Sequence, residues 1–575
     1  MSVVLSEQLP LLATAQAGIQ KLRGLILELA VRGKLVPQDP NDEPASELLK
    51  RIANERARLE AEGKIKKAKA QPPVDEDEQP FGLPETWKWS RLGIVSEKLT
   101  DGSHNPPPDC GSGLPMLSSQ NVQDGWIDTS NPSRYLSEQD FAAEDSRTKV
   151  TIGDVLLTIV ASIGRSAVVT DEHCRFALQR SVAVIRSGLA PNFLSIQLRA
   201  PVARNYYDKH GKGTAQKGIY LGKLGEMPVA IPPLAEQHRI VAKVDELMSL
   251  CDRLEAEHSD ATAEHERLVA TLLGTLTQSA DAANLAANWQ RLAEHFDTLF
   301  TTESSLDALK QTILQLAVMG KLVAQDPNDE PASELLKRIA KERARLEAEG
   351  TCKKSKAMPP VDGDAFYSLP NNWQWSALDS LVRVMDSGWS PACIETPSPN
   401  NDVWGVLKTT AVQTFQYLEY ENKELPAHLE PRPECVVAAG DILITRAGPK
   451  NRVAISCLVE TTRPRLMISD KIIRFHLVEG GMYEKFVALC LNAGATAAYL
   501  ENAKSGMAAS QMNITQEKLR AVPIPICSTS EQHRIVVKVD ELLALINRLK
   551  DGLAESRAQQ DRLATTLIET ALKAA

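Results

Sequence analysis

The sequence predicts an α+β protein built as an internal repeat, in which a helical frame occurs twice around two mixed α/β domains. A block of 31 residues, Gly33 to Gly63, recurs 287 positions later at Gly320 to Gly350 with 29 identical residues. A second block of 19 residues, Glu236 to Leu254, recurs 295 positions later with 14 identities. Self-similarity at so long an offset indicates a large unit used twice, because solenoid repeats are only tens of residues long.

The segments between the repeated blocks have diverged. They share only short matches, such as Gly153–Thr158 with Gly440–Thr445. A closely kept frame gives pseudo-two-fold symmetry, and diverged segments within it indicate two related surfaces that recognise different things. We expect an N-terminal helical region and linker at 1–79, a first domain at 80–235, a central helical region at 236–350, a linker at 351–365, a second domain at 366–530 and a C-terminal helical region at 531–575.

Composition bounds the class of protein. At 575 residues the chain can form several cores, and its contents of 43% apolar and 24% charged residues are ordinary. No apolar run approaches the ~18 residues of a membrane span, and the N-terminal residues lack the features of a secretory signal. Nine cysteines without metal-ligand spacing favour a reducing compartment. We therefore expect a cytoplasmic protein with no membrane partner, disulfide frame or structural metal.

Charge is distributed unevenly along the chain. The net charge is −9, yet residues 80–235 carry 16 basic and 15 acidic residues and residues 366–530 carry 15 and 16, so the acidity lies in the frame. Residues 199–223 hold six Lys or Arg against Asp208 alone, and residues 445–474 hold seven against two acids. Such stretches are often ordinary surface loops. Their occurrence in both domains favours a polyanionic partner.

The second repeated block predicts a long coiled-coil helix in each copy. Apolar residues step by four and three along a heptad seam, namely Ile240, Val244, Leu247, Cys251 and Leu254, then Ile535, Val539, Leu542, Ile546 and Leu549. The same register continues through His258, Ala261, His265, Leu268 and Leu272, and through Leu553, Ser556, Gln560, Leu563 and Leu567. Each helix would span about 40 residues, or ~60 Å. We interpret His265 and Gln560 as polar seam residues that set register, in preference to metal or catalytic groups.

The first repeated block predicts a short amphipathic helix, a polar turn and a highly charged helix. The short helices end at Gly33 and Gly320, which suit a C-terminal cap. The charged helices, Glu47–Glu62 and Glu334–Glu349, match at exposed as well as apolar positions. Two docking sites for one partner would explain this match, as would a recent duplication. Each block leads into a Leu-Pro-x-x-Trp-x-Trp motif whose aromatic residues we expect to anchor the domain core: Trp87, Trp89, Trp373 and Trp375.

The sequence contains no recognised catalytic motif. It lacks a phosphate loop, an HExxH helix and a GxSxG elbow. Asn105–Pro108 and Glu421–Lys423 only partly match a methyltransferase and a nuclease motif. We therefore expect a non-catalytic recognition protein. Two alternatives stay open, a coiled-coil protein-interaction scaffold and a self-sufficient, pseudo-dimeric DNA-modifying enzyme.

Several motifs resemble those of one family. The run Pro232–Leu247, PPLAEQHRIVAKVDEL, resembles the segment that follows the target-recognition domains in specificity (S) subunits of Type I restriction–modification systems. Gly213–Gln216 and the turn Asp101–His104 resemble the same family, as does the order of helices and variable domains. The second copy departs from the pattern, since Ile526–Ser530 replaces the Pro-Pro-Leu-Ala lead-in.

The resemblance implies a partner and an activity. Residues 80–235 and 366–530 would be target-recognition domains, each reading half of an asymmetric, bipartite site on double-stranded DNA through the major groove. The long helices would pair antiparallel and set the spacing of the half-sites. Two methyltransferase (M) subunits would dock on the frame for adenine DNA methylation with S-adenosylmethionine. Restriction (R) subunits would add ATP- and Mg-dependent cleavage, so this chain would hold no cofactor.

We expect loops rather than strands to contact DNA, because Arg, Lys, Gln and Asn reach base edges and phosphates. The candidates in the first domain are Ser103, His104, Ser119, Gln120, Asn121, Lys212, Thr214, Gln216 and Lys217. Those in the second are Lys408, Thr409, Arg446, Lys450, Arg452, Ser510, Gln511 and Asn513.

Overall fold

A computed structural model describes residues 18–65, 67, 71–170, 175–213, 217–352, 361 and 366–574. They divide between two compact units, Met1–Thr262 with Ser556–Ala575, and Ala263–Glu555. Helices and strands are mixed in both units, as an α+β protein requires. None of the helices in the described ranges offers a bilayer the long apolar stretch that spanning requires.

The first unit contains the elements up to the first long helix. Its helices are α1 Gly18–Val31, α2 Ala45–Ala61, α3 Leu92–Val95, α4 Glu138–Thr148, α5 Pro191–Arg199, α6 Pro201–His210, α7 Leu221–Gly225 and α8 Leu234–Thr277, whose last residues belong to the second unit. Its strands are β1 Lys88–Arg91, β2 Ser96–Asp101, β3 Leu114–Leu117, β4 Arg134–Leu136, β5 Val155–Thr158, β6 Ser166–Val168, β7 Ala177–Leu178, β8 Val182–Ser187 and β9 Pro228–Ile231.

Two small sheets and a strand pair form the mixed domain of the first unit. Strands β2, β8, β5 and β6 make an antiparallel sheet in that order, and β4, β3 and β7 make a sheet in which β3 and β7 run parallel. Strand β1 pairs antiparallel with β9, with Lys88 opposite Ile231. Because the first and last strands pair, the two ends of the domain lie side by side where they join the helices.

The second unit contains the remaining elements. Its helices are α9 Ala282–Glu294, α10 Phe296–Leu299, α11 Glu303–Val318, α12 Ala332–Ala348, α13 Leu378–Leu381, α14 Glu484–Leu491, α15 Gly494–Ala503, α16 Gln516–Arg520 and α17 Thr529–Ala574, whose last residues belong to the first unit. Its strands are β10 Gln374–Ala377, β11 Val382–Ser387, β12 Gly405–Leu407, β13 Val412–Gln413, β14 Gln416–Tyr417, β15 Asn422–Glu424, β16 Ile442–Thr445, β17 Ala447–Gly448, β18 Ser456–Leu458, β19 Leu466–Met467, β20 Ile472–Leu477, β21 Ser505–Ala508, β22 Gln511–Asn513 and β23 Pro523–Ile526.

The sheets of the second unit have the same internal order as those of the first. Strands β11, β20, β16 and β18 follow one another, β15, β12 and β19 include one parallel pair, and β10 pairs with β23. An irregularity in register follows Val382 in β11, as one follows Ser96 in β2. The second unit also has the hairpin β13–β14 and the three-stranded sheet β17-β22-β21. At the corresponding places the described residues of the first unit form isolated bridges, Val122 with Ile127 and Gly218 with both Lys212 and Val160, so the two units share this part of the plan as well.

The helices predicted from the heptad pattern are present, with 44 residues in α8 and 46 in α17. The first half of the predicted seam is also correct, because Ile240 and Ile535 are both fully buried. In the first unit α1 and the start of α8 share a core with Ala564 of α17. In the second unit α11 and Ile546 of α17 share a core with Val269 of α8.

Further along the helices the predicted seam holds at Leu272 and Leu553, which pack against a core, but it is wrong at Leu268 and Leu563. Leu268 and Leu563 are 51% and 50% exposed, whereas the residues that follow them, Val269 and Ala564, are buried. A straight α-helix drifts by ~20° per heptad against a 3.5-residue repeat. Residues 255–264 are exposed, so no partner holds α8 to that repeat there. The buried face therefore moves on by one residue.

The two polar residues assigned to the seam also differ from the prediction. Gln560 is exposed, so it sets no register. His265 is half-buried and its Nε2 lies 3.0 Å from the carbonyl oxygen of Leu299, the last residue of α10. This histidine fixes a neighbouring short helix by a local hydrogen bond.

Each short N-terminal helix ends at the predicted glycine. Gly33 has φ +68°, and the N–H of Lys34 donates to the carbonyl of Leu29 at 2.9 Å, which closes the helix in a Schellman motif. A Cβ at Gly33 would lie 2.6 Å from Cγ of Pro84. Gly320, with φ +70°, makes the same close approach to Pro370. The two glycines therefore let the start of each domain pack directly on the end of a helix.

A buried carboxylate joins three segments of the first unit. The indole N–H of Trp87 donates to Oε2 of Glu236 at 3.0 Å, and the side-chain amide of Gln38 donates to Oε1 at 2.5 Å. Trp87 and Glu236 are 2% and 1% exposed. Burial raises the pKa of Glu236 above its ordinary value, and the two donors partly oppose that rise. This cluster, the carboxylate clamp, ties the turn after α1 and the start of the domain to the start of α8.

The second unit has the same clamp. Trp373 and Gln325 donate to Glu531 at 3.0 and 2.6 Å, and burial likewise raises the pKa of Glu531. One turn further along α17, Arg534 pairs with Asp329 at 2.7 Å. The anchoring role that the Trp motifs predicted is therefore confirmed for Trp87 and Trp373, whereas Trp89 and Trp375 are only half-buried.

The clamp predicts a stability difference between two tryptophans of one motif. Trp87→Phe removes a hydrogen bond to a buried carboxylate, which costs about 1–3 kcal/mol beyond the lost packing. Trp89→Phe is the matched control, because the buried indole N–H of Trp89 has no partner among the described residues. Urea unfolding followed by circular dichroism should show the larger loss for Trp87→Phe. Equal losses would contradict the clamp.

Candidate nucleic-acid interface

The first predicted loop of the first unit, residues 118–131, is shaped from within by Asn121. This side chain is 1% exposed. Its Oδ1 accepts the N–H of Ser118 at 3.0 Å, and its Nδ2 donates to the carbonyls of Asp128 and Asn131 at 3.1 and 2.8 Å. The polar atoms of Asn121 are therefore used inside the domain, which leaves none for a ligand.

Arg165, the residue before β6, braces the same loop. Its guanidinium donates to the side chain of Gln123 at 2.8 Å and to the carbonyl of Ser119 at 2.7 Å. Ser119 is half-buried between this contact and Ser181, while Gln120 is exposed at the turn. The brace fixes the backbone of the loop and leaves Gln120 facing solvent.

A short hairpin lies beside this loop. Lys212 and Gly218 exchange two backbone hydrogen bonds of 2.9 Å, and the N–H of Ala161 donates to the carbonyl of Lys217 at 3.0 Å. The side chains of Lys212 and Lys217 are exposed, and Lys217 pairs with Asp208 at 3.0 Å. Thr214 and Gln216, predicted at its tip, lie outside the described residues.

Ser103 and His104 differ in exposure. Ser103 is 6% exposed and its N–H donates to the carbonyl of Leu178 at 2.7 Å, so it belongs to a sheet edge. His104 is exposed, with Nε2 2.9 Å from Asp101, a carboxylate that also pairs with Arg147 at 2.6 Å. Of these two candidates, His104 alone presents its side chain to a ligand.

Arg452 repeats the brace in the second unit. Its guanidinium donates to the side chain of Gln413 at 2.9 Å and to the carbonyls of Thr409 and Val412 at 2.7 and 2.9 Å. The pattern of one glutamine and one loop carbonyl is that of Arg165. The sequence shows that Arg165 and Arg452 are basic, but it does not reveal that their guanidinium N–H groups donate within the domain.

The two other candidates in this loop are half-buried. Lys408 pairs with Glu421 at 3.0 Å, and Glu421 also accepts from the hydroxyl of Thr410 at 2.5 Å. Thr409 contributes its carbonyl to the Arg452 brace. The Glu421–Lys423 triplet that resembles a nuclease motif is thus part of the loop structure, with Asn422 only 1% exposed.

The hairpin formed by β21 and β22 carries the most exposed candidates. Ser510, Gln511 and Asn513 are all exposed. The hairpin is held to the one-turn segment Lys450–Arg452, where the N–H of Lys450 donates to the carbonyl of Ala509 at 2.7 Å. The Lys450 side chain is exposed and lies 3.4 Å from Glu501.

Arg446 lies at the base of this hairpin. Its N–H donates to the carbonyl of Lys471 at 2.8 Å, and its carbonyl accepts from Ile514 at 2.9 Å. Within the described part of the chain its half-buried guanidinium has no hydrogen bond or ion pair, nor does the exposed Lys471 ammonium. Two unneutralised cations therefore stand beside exposed amide and hydroxyl groups, a combination that suits phosphates and base edges.

A metal centre is not found in the described ranges. No group of three or more His, Cys, Asp or Glu side chains there is placed to hold an ion. The exposed candidate residues of the loops and hairpins offer amides, hydroxyls, cations and the imidazole of His104.

The chain is similar to a set of known proteins. A family model described as the Type I restriction modification DNA specificity domain matches residues 109–264. The EcoEI specificity subunit of a Type I restriction enzyme from Escherichia coli is 46% identical over 573 residues, which cover 96% of this chain and 94% of that subunit. The EcoAI specificity subunit from Escherichia coli is 36% identical over 580 residues, with the same two coverages. The alignment with the crystal structure of the HsdS subunit from Thermoanaerobacter tengcongensis covers 86% of this chain and 98% of that subunit, at 19% identity and a TM-score of 0.36.

The arginine braces predict a local effect on loop order. Arg452→Met removes three hydrogen bonds, so the amides of residues 409–418 should exchange hydrogen about 10- to 100-fold faster, since each lost bond costs ~1 kcal/mol. Arg165→Met should do the same for residues 119–128. Arg446→Met is the matched control, because its guanidinium contacts none of this loop. Hydrogen exchange read by mass spectrometry tests this, and equal protection in all three variants would refute the braces.

Proposed function

The chain belongs to the specificity subunits of Type I restriction enzymes, and we propose that it reads an asymmetric, bipartite site on double-stranded DNA through two target-recognition domains, residues 80–235 and 366–530. The observation that carries the proposal is the combination of one sheet plan with two sets of loops. Both domains keep the same strand order, while a hairpin at equivalent places carries Lys212 and Lys217 in the first and Ser510, Gln511 and Asn513 in the second. Equal scaffolds with unequal reading surfaces suit a site whose two halves differ.

The reading groups we propose are those whose side chains are exposed, together with the half-buried Arg446, whose guanidinium has no partner among the described residues. In the first domain they are His104, Gln120, Lys212 and Lys217, with Thr214 and Gln216 retained from the sequence prediction. In the second they are Arg446, Lys450, Ser510, Gln511 and Asn513. Arginine and glutamine can discriminate guanine and adenine in the major groove, and lysine neutralises phosphate. Asn121 and Arg452 support the loops instead, because their polar atoms are occupied within the domains.

The helical frame, in this proposal, is a spacer with pseudo-two-fold symmetry. Helices of 44 and 46 residues would each extend about 65–70 Å. We infer that α8 and α17 pair as antiparallel coiled-coil helices and set the distance between half-sites that lie one to two duplex turns apart, at ~34 Å per turn. The repeated seam residues Ile240 and Ile535 support equivalent roles for the two helices.

We propose α2 and α12 as equivalent docking sites for two methyltransferase subunits. Their exposed ion pairs recur position by position, with Glu55–Arg58 and Glu342–Arg345 both at 2.6 Å. The methyltransferase subunits would hold S-adenosylmethionine and methylate an adenine in each half-site. The restriction subunits would supply the ATP- and Mg-dependent steps. This chain contributes no chemistry, and its role is to set where its partners act.

The modular reading of the two domains can be tested by exchange. Replacing residues 366–530 with the second domain of another family member should change one half of the methylated sequence and leave the other half unaltered. Sequencing of methylated adenines in genomic DNA from cells expressing the chimaera and its methyltransferase subunit measures this. Replacing residues 80–235 is the reciprocal control. A change in both halves would contradict one domain per half-site, and the absence of bipartite protection by the assembled complex would leave only a protein scaffold.

The docking proposal predicts a stepwise loss of subunits. The exchange Glu342→Arg with Arg345→Glu keeps the ion pair of α12 but inverts the charge pattern that a partner meets. It should reduce binding from two methyltransferase subunits per chain to one, and adding Glu55→Arg with Arg58→Glu in α2 should abolish it. Native mass spectrometry counts the subunits. The same exchange at Glu138 and Arg175, an exposed pair of 3.2 Å outside these helices, is the control. Two subunits retained by the double exchange would refute the proposal.

A further inference from the structure

We propose that Met507 is an apolar wedge that enters the base stack of the half-site read by residues 366–530. The inference rests on the proposed DNA-reading function and adds a contact that deforms the duplex. Met507 lies on the β21–β22 hairpin, and its side chain is fully exposed, at 103% of the reference value. Among the large apolar residues exposed in the described chain, none is more exposed. Single exposed apolar residues are common on protein surfaces, so what distinguishes Met507 is the hairpin that carries it.

The hairpin geometry turns Met507 outward. Ser505 pairs with Asn513 and Ala508 pairs with Gln511, so Gly506 and Met507 together face the single residue Met512. This two-against-one arrangement is a β-bulge, which re-aims side chains. A Cβ at Gly506 would collide with the carbonyl oxygen of Gln511, so the bulge requires glycine.

The neighbouring methionine shows what the bulge changes. Met512 is half-buried and packs against the core of the second unit. Without the extra residue, side chains would alternate strictly between the two faces of the hairpin. The pairing of its neighbours would then fix the face on which Met507 lies. The bulge interrupts this alternation, and the thioether of Met507 has no protein contact on any side. Local sequence and backbone thus combine to present one apolar side chain.

The surroundings favour nucleic acid as the occupant. Ser510, Gln511 and Asn513 are exposed beside Met507, and the unpaired cations Arg446 and Lys471 stand at the base of the hairpin. A methionine flanked by amides and cations matches the wedges that proteins insert between base pairs, where the apolar group replaces stacking and the polar groups hold the backbone. A protein partner would require a contiguous apolar patch of several hundred Å², whereas the residues next to Met507 in the turn are Ala508, Ala509 and Ser510.

A wedge also requires a stiff support, and the hairpin has one. The third strand, β17, pairs Ala447 with Asn513. The N–H of Lys450 donates to the carbonyl of Ala509 at 2.7 Å, and Nζ of Lys504 donates to the carbonyl of Lys450 at 3.0 Å. Three backbone segments therefore hold the tip of the β21–β22 hairpin in place, so a force that DNA exerts on Met507 is borne by the whole domain.

The test uses the chain assembled with its methyltransferase subunits and duplexes that carry 2-aminopurine at successive positions of the half-site. Wild type should raise 2-aminopurine fluorescence several-fold at one base step away from the methylated adenine, because a methyltransferase that flips its target base raises the signal at that adenine by itself. Met507→Ala should lose that rise and bind the cognate duplex about 10-fold more weakly, as expected for the loss of a buried methionine side chain. Met507→Leu should retain both properties. Leu563→Ala, an exposed apolar residue on α17, is the control and should behave as wild type.

Three outcomes separate the wedge from the function on which it rests. If wild-type complex gives no bipartite footprint, the proposed function fails. If the footprint is present but Met507→Ala matches wild type in fluorescence and affinity, the wedge is overturned and the function stands. If Met507→Ala instead lowers the number of bound methyltransferase subunits, Met507 belongs to a protein interface, which also overturns the wedge.

Discussion

The buried carboxylates of Glu236 and Glu531 are the constraint on which the rest of each unit depends. Each accepts hydrogen bonds from a tryptophan at the start of the domain and a glutamine in the turn that follows a short helix. A carboxylate removed from water is costly unless donors replace its hydration, so the three segments must meet for any of them to be stable. The domain is thereby attached to the long helix at one fixed point, and its β1–β9 or β10–β23 pair closes the attachment from the other end.

A fixed attachment allows the loops beyond it to diverge. In both units an arginine, Arg165 or Arg452, holds the backbone of the first loop while leaving its turn residues free to change. In the proposed function the exposed groups determine what is bound, and a change among them leaves the sheets undisturbed. This division explains how the frame keeps 29 of 31 residues in one block while the domains share only short matches.

Sequence patterns predicted those parts of the fold that are determined by interactions among neighbouring residues. The long helices followed from apolar spacing, the helix ends from Gly33 and Gly320, and the domain anchors from Trp87 and Trp373, since each depends on a few neighbouring residues. The exposure of Leu268 could not be predicted because it depends on which face of α8 finds a partner. The roles of Asn121 and Arg452 depended on carbonyls elsewhere in the fold. The exposure of Met507 depended on a bulge that pairing alone reveals.

The charged faces of α2 and α12 are the part of the frame that folding explains least. Packing constrains residues such as Leu48 and Ile52, which are 4% and 8% exposed. It places no demand on Arg58 and Arg345, whose side chains are 58% and 57% exposed, and exposed ion pairs of this kind contribute little to stability. Recent duplication alone would have preserved the domains as well as the helices. The exposed surfaces of α2 and α12 are nearly identical although the domains beside them have diverged. This is best explained by a partner that binds the same surface twice, once beside each proposed recognition domain.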